Sequence, residues 1–297
     1  MDHEVRVGWR RLAVRLWGPA SGYPVFLLHG TPGSRLSVHL SEEDLAKLGV
    51  RLISYDRPGY GRSDPYHDRP VAQAADDVRA IADAFGHETF AVLGRSGGGP
   101  HALACAALLP GRVNRVASLV GLAPYDAQNL DWLAGMTDDN RREYTAARAG
   151  RAQLAKVIFP EVMALRADPI RFTRRLFEQG TSSDRGVVDA SDFRDTFVTG
   201  LVEAVERSLD GWAADSLAFT RPWGFEPALI RVPTLLWHGM HDVFSPVSHA
   251  RWLFKRIRSA TLLLSEHSSH LHAAAAQFDA VRWLVEGGEP QLRAKPT

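Results

Sequence analysis

Short apolar runs recur along this chain with helical patterns between them, and that alternation limits the possible folds more than any other feature. "RLAVRLWG" (11–18), "PVFLLHG" (24–30), "RLISYD" (51–56), "FAVLG" (90–94) and "RVASLVGLA" (115–123) have the length and residue types of strands. Between them lie "SVHLSEEDLAKLG" (37–49), "AQAADDVRAIADAFG" (72–86) and Gly97 to Leu109, which have helical spacing or helical composition. Strands that are apolar on both faces and alternate with helices predict a mostly parallel sheet covered by helices on each side, an α/β fold.

The alternation stops at about Asp126 and resumes after Phe225 with "TLLWHG" (234–239), the helical "SHARWLFKRI" (248–257), "TLLLS" (261–265) and a last helix from about Leu271 to Val285. The interrupting segment has no buried-strand run. It is rich in Arg, Asp and Glu with spaced Trp, Phe, Leu and Met, the pattern of several amphipathic helices. The expected organisation is therefore a core formed by 1–125 and 226–297, with 126–225 inserted as a helical unit. Residues 287–297, "GGEPQLRAKPT", are expected to be disordered.

The 297 residues suffice for one large domain with an insertion. A net charge of +1 gives no global field for nucleic acid or an anionic membrane. Arg141, Arg142, Arg148 and Arg151 are the one basic cluster, expected as a solvated helix face. Cys105 is the single cysteine, which suits a reducing compartment. The first sixteen residues, with their acids and arginines, lack the apolar stretch of a secretory signal. No run approaches the ~20 apolar residues of a membrane span. The expectation is a soluble, cytoplasmic protein acting on a small molecule, without nucleic acid or membrane.

The chemistry concentrates at "GRSGG", Gly94 to Gly98, a G-x-S-x-G sequence between a strand and a helix. In that context the serine sits on a strained turn at the sheet's carboxyl edge, with the following helix presenting free N–H groups. Ser96 is the expected nucleophile, and the Gly97 amide faces an oxyanion formed beside it. A phosphate loop would need Lys after the glycines or a G-x-G-x-x-G spacing, and neither is present. A second amide is expected from Thr31, in "LLHGTPGS" after an earlier strand; His29 in the same stretch is expected to be structural. A serine nucleophile needs a base and an orienting acid. Asp242 follows the strand "TLLWHG", and "SEHSSHLH" after the last strand offers His267, His270 and His272. Three close histidines could also be metal ligands, but no companion carboxylate motif accompanies them. No metal or organic cofactor is expected.

With the order Ser, Asp, His, these residues resemble the α/β-hydrolase superfamily from about residue 10 to 286, the insertion apart. "HGTP" (29–32), "YDRPGYGRSD" (55–64), the elbow itself and the re-entry "RPWGFEPALIRVPTLLWHGMHDVFSP" carry the likeness. The resemblance implies Asp242 as acid. Asp126 is its competitor, because some relatives carry the acid after the earlier strand. It maps the base onto His270, in Ser269-His270-Leu271, where relatives have a "GHL"-like sequence; serine there departs from the pattern and leaves His267, and more weakly His272, as rivals. It implies that the insertion is a lid over the site. Epoxide hydrolases and haloalkane dehalogenases of this shape use an aspartate nucleophile, which Ser96 argues against.

The activity expected from this resemblance is hydrolysis of an ester, lactone or related acyl bond of a small to medium, mostly uncharged substrate. Two readings compete: cofactor-free lyase or oxygenase-type chemistry with His270 as a base on carbon, and a ligand-binding protein with a relict site.

Overall fold

The computed structural model describes residues 1–182, 184, 187 and 191–291. Eight strands form one sheet: β1 (Asp2–Val7), β2 (Arg10–Trp17), β3 (Tyr23–Leu28), β4 (Val50–Tyr55), β5 (Phe90–Arg95), β6 (Val113–Leu119), β7 (Thr234–Gly239) and β8 (Ala260–Ser265). Their spatial order is β1-β2-β4-β3-β5-β6-β7-β8. β1 and β2 pair antiparallel, as do β2 and β4; every other pairing is parallel.

Parallel strands buried on both faces alternate their side chains between two cores. Phe26 and Val92 belong to one core, while Val25, Leu27, Ala91 and Leu93 belong to the other. Helices α2 (Gln73–Ala84) and α3 (Gly98–Leu108) contribute to the first. α1 (Glu42–Leu48) and the final helix α10 (Gln277–Glu286) contribute to the second. α9 (Ser248–Phe254) packs on β7 and β8.

Three boundaries differ from the sequence expectation. β1 was not expected: of its six residues only Val5 is buried, so an edge strand of this kind leaves no apolar run to find. α1 starts at Glu42 rather than Ser37, because Ser41 and Asp44 form a reciprocal capping box. The last helix starts at Gln277; Leu271–Ala273 is a tight 3-10 turn whose first N–H donates to the Asp184 carboxylate at 2.9 Å. Of the tail expected to be disordered, 292–297 lies outside the described residues.

Between β6 and β7 the described chain is helical: α4 (Asp138–Arg148), α5 (Arg151–Ala167), α6 (Pro169–Glu178), α7 (Ser191–Val205) and α8 (Asp210–Phe219). Their apolar faces meet around Leu154, Ile158, Leu165, Phe172, Leu201 and Trp212, a cluster that also takes Tyr60 from the core. α8 is buried from Gly211 to Phe219. Arg141, Arg142 and Arg148 lie exposed, and Arg142 pairs with Asp139, as a solvated face requires. No helix among the described residues is long and apolar enough to cross a membrane.

The chain runs from β3 outward to β4, then returns to place β5 on the other side of β3. Such a reversal opens a crevice at the carboxyl ends of the two strands. The segment after β3 begins at His29 and the segment after β5 at Ser96, so the reversal brings these two stretches together.

Candidate active site

Ser96 is the first of the two residues, Ser96 and Gly97, that link β5 to α3, and it has φ 53°, a left-handed conformation that is costly for a residue bearing a Cβ. The turn is pinned on both sides: the Ser96 N–H donates to Leu119 O at 2.8 Å, and Ser96 O accepts from the Gly99 N–H at 2.8 Å. A methyl group at Gly94 would fall 2.2 Å from the Gly98 carbonyl oxygen, and one at Gly98 would fall 2.0 Å from the Leu28 carbonyl oxygen of β3, so each glycine of the motif is required by a backbone packed directly against it. The result is a hydroxyl held at the sheet edge.

That hydroxyl lies 3.0 Å from His270 Nε2, and His270 Nδ1 lies 2.8 Å from Asp242 Oδ2. A carboxylate only accepts, so Nδ1 carries the proton and Nε2 is free to accept from Ser96. Asp242 is fixed in turn. Its Oδ1 accepts from the Phe244 and Ser245 N–H groups at 2.8 and 2.9 Å, and His238 Nε2 stands 3.3 Å from Oδ2. Burial by itself would raise the Asp242 carboxyl; the charge and hydrogen bonds of His270 and His238 override it and hold the group well below the usual carboxylate range.

Of the rivals raised by the sequence, none enters this chain of contacts. Asp126 and His267 are exposed, and His272 Nδ1 sits 3.2 Å from Ser269 Oγ. The three histidines therefore do not converge. His29 is buried, with Nδ1 donating to Gly30 O at 2.8 Å and Nε2 accepting from the Arg57 N–H at 3.2 Å, which ties the loop after β3 to the one after β4.

Thr31 and Gly97 meet beside Ser96. A Cβ on Gly97 would fall 2.2 Å from Thr31 Oγ1, so only glycine fits there. The Thr31 hydroxyl donates to Asp215 Oδ2 at 2.5 Å. Asp215 comes from α8, is fully buried, and also takes hydrogen bonds from Arg57 Nη2 at 2.5 Å, Tyr60 Oη at 2.9 Å and Arg69. Burial would raise this carboxyl; the two guanidiniums reverse that and keep it well below the ordinary range. The sequence reading missed this centre. Its signal was an aspartate inside "GWAADSLAF", a helix otherwise almost without charge.

A pocket opens over Ser96, with about 970 Å³ between its atoms, part of it continuous with solvent. Its floor is Gly30, Thr31, Ser96, Gly97 and His270; its walls include Arg95, Asn140, Glu143, Phe172, Phe177, Phe197, Trp212 and Leu271. Phe172, Phe177, Phe197 and Trp212 are among the aromatic residues of the insertion. Glu143 accepts from Ser216 Oγ at 2.6 Å and from Trp212 Nε1 at 3.0 Å, and burial pushes its carboxyl up to about 7. His238, Glu143 and Arg95 are further members of the site that the motifs did not reveal; Glu143 finds its partners Trp212 and Ser216 about seventy residues away, while His238 and Arg95 follow no residue pattern that marks a role.

The alternating sheet, the reversal at β3 and β5 and the strained serine define a class of protein, and comparison with known sequences gives the same class. A family model described as the alpha/beta hydrolase fold matches residues 23–272, and the chain belongs to that family and is an enzyme of it. It is 27% identical over 252 residues to the AB hydrolase superfamily protein YisY of Bacillus subtilis, spanning 84% of this chain and 85% of that one. It is 34% identical over 122 residues to epoxide hydrolase B of Mycobacterium tuberculosis, 40% of this chain but only 33% of that protein's length. Among solved structures, an esterase from Exiguobacterium antarcticum superposes with a TM-score of 0.70 at 21% identity, covering 96% of this chain and 98% of the other; at that identity the likeness concerns the fold.

Proposed function

We propose that this enzyme is a serine hydrolase that cleaves an ester or lactone of small to medium size through an acyl-enzyme. The observation that carries the reading is the unbroken run of contacts from Ser96 Oγ to His270 Nε2 and from His270 Nδ1 to Asp242. His270 takes the Ser96 proton as Oγ bonds to the carbonyl carbon. Asp242 holds the imidazole tautomer and stabilises its charged form. The carbonyl oxygen becomes an oxyanion between the Thr31 and Gly97 amides, each contributing about 3 kcal/mol to lowering the barrier. The bond to the leaving oxygen then breaks, and that oxygen receives the proton from His270. Water, deprotonated by the same imidazole, attacks the acyl carbon and restores Ser96.

In this reading 126–225 serves as a cap, because Asn140, Glu143, Phe172, Phe177, Phe197 and Trp212 come from it and wall the pocket. A mostly apolar wall suits the body of an acyl or alcohol group. The competing lyase reading uses the same His270 as a base on carbon and leaves Ser96 unacylated. A fluorophosphonate probe separates the two. Stoichiometric labelling that maps to Ser96 and vanishes in Ser96→Ala, together with hydrolysis of 4-nitrophenyl acetate by the wild type alone, is the expected result. Wild-type ester hydrolysis by Ser96→Ala would refute the mechanism.

A further inference from the structure

Arg95 immediately precedes Ser96, lines the pocket over it and is only 8% exposed. Among the described residues its guanidinium meets no carboxylate and no hydrogen-bond acceptor. Burial lowers its pKa to about 10, which leaves it protonated at neutral pH. Every other deeply buried arginine of the site region is paired: Arg35 with Asp56, and Arg57 and Arg69 with Asp215. An unpaired buried cation is costly to the fold, and a ligand anion is what would complete it.

The surroundings add no carboxylate. Alternation along β5 places Arg95 on the face of Ala91 and Leu93, towards α10 and the segment before α1. There His39 is held neutral by burial and by the Arg95 charge, and both its ring nitrogens are buried without partners. Gln277 Nε2 is likewise buried and unpaired. The His39 ring stacks on Phe193 at 4.8 Å, and Phe193 packs in one cluster with Leu271 of the pocket wall. Arg95 therefore stands between the pocket it lines and a buried layer that supplies it no counter-charge. Glu143, by contrast, places a carboxyl on a wall formed by the insertion.

We propose that the substrate carries a carboxylate close to its scissile carbonyl, and that Arg95 binds it. One guanidinium matches one carboxylate in charge and in planar two-point geometry. Arg95 is the only cationic side chain among the described pocket-lining residues, so a doubly charged phosphate would be left half-neutralised. The assignment rests on the acyl-enzyme reading and replaces a mostly uncharged substrate with a monoester of a dicarboxylic acid or a lactone that bears a carboxylate.

The test compares kcat/KM for mono-4-nitrophenyl glutarate with that for 4-nitrophenyl butyrate, whose acyl chain is similar but uncharged. The ratio of the two cancels general damage to turnover. Wild type is expected to favour the glutarate ester about tenfold or more. Arg95→Met should bring the ratio to about one, and Arg95→Lys should restore part of it. If Arg95→Met does not fold, Arg95→Gln takes its place. A wild-type ratio near or below one, or a ratio that the neutral variant leaves unchanged, overturns the proposal. Should wild type hydrolyse neither ester, the acyl-enzyme reading fails separately. Calorimetric binding of glutarate to Ser96→Ala, with and without Arg95→Met, then decides the anion site. Binding lost with Arg95 supports it; equal binding, or none to either protein, overturns it.

Discussion

Asp215 Oδ2 accepts the Thr31 hydroxyl at 2.5 Å, so a carboxylate from a helix inserted between β6 and β7 holds the loop that follows β3. Because the Thr31 amide is the proposed oxyanion donor, the contact links the insertion to the reacting centre. Thr31→Val keeps the shape of the side chain and removes that hydrogen bond. It should lower kcat about tenfold with little change in KM, since the oxyanion exists only in the transition state. Asp215→Asn should instead destabilise the protein by about 3 kcal/mol or more, because Arg57 and Arg69 lose their buried counter-charge. Steady-state kinetics and urea unfolding check the two effects. A Thr31→Val enzyme with unchanged kcat would remove the link.

Asp242 and Asp126 give opposite expectations. Asp242→Asn should cost on the order of 10⁴ in turnover through a misoriented tautomer, whereas Asp126→Asn should be close to neutral. His267→Ala, at an exposed position, should keep activity that His270→Ala loses. A larger loss at Asp126 than at Asp242 would reverse the assignment.

Glu143 makes a pH-dependent contribution to stability. Its ordinary value is 4.5 and burial pushes it up to about 7. Between those values the unfolded chain is ionised while the folded one keeps its proton. The contribution is thus fully present below the unfolded value and lost as pH rises through the folded one. Glu143→Gln retains an oxygen for Ser216 and Trp212 but does not titrate. Its melting temperature should exceed that of wild type at about pH 8 and lose the advantage at about pH 5. A difference that does not vary with pH would contradict this.

The strain at Ser96 is separable from its chemistry. Ser96→Ala and Ser96→Gly both abolish the hydroxyl, but only alanine keeps a Cβ at φ 53°. Ser96→Gly should be the more stable of the two inactive variants by about 1 kcal/mol in urea unfolding. Equal stability would mean that the turn is not strained.

Much of the core was legible because each buried parallel strand is an uninterrupted apolar run, and G-x-S-x-G between a strand and a helix has few structural uses. Ser96 and Asp242 could be named from local context, His270 only through the resemblance and with two rivals, and the structure brings those three side chains into contact. β1 escaped notice because an edge strand buries one residue and carries no such run. The choice among His267, His270 and His272 also exceeded the motif, since all three follow β8 within a few residues.

What the sequence by itself determined is the alternation of strand and helix, its break into helices alone between β6 and β7, and the residue types at the sheet's carboxyl edge, all of which depend on neighbours along the chain. Only the tertiary structure decided which histidine faces Ser96, that Asp215 anchors Thr31, that Glu143 lies half-buried in the pocket wall, and that Arg95 has no counter-ion. Those properties arise between segments separated by many residues: 174 from Ser96 to His270 and 184 from Thr31 to Asp215. Desolvation and charge pairing act through space, so a side chain's ionisation and partners are fixed only when distant segments pack around it.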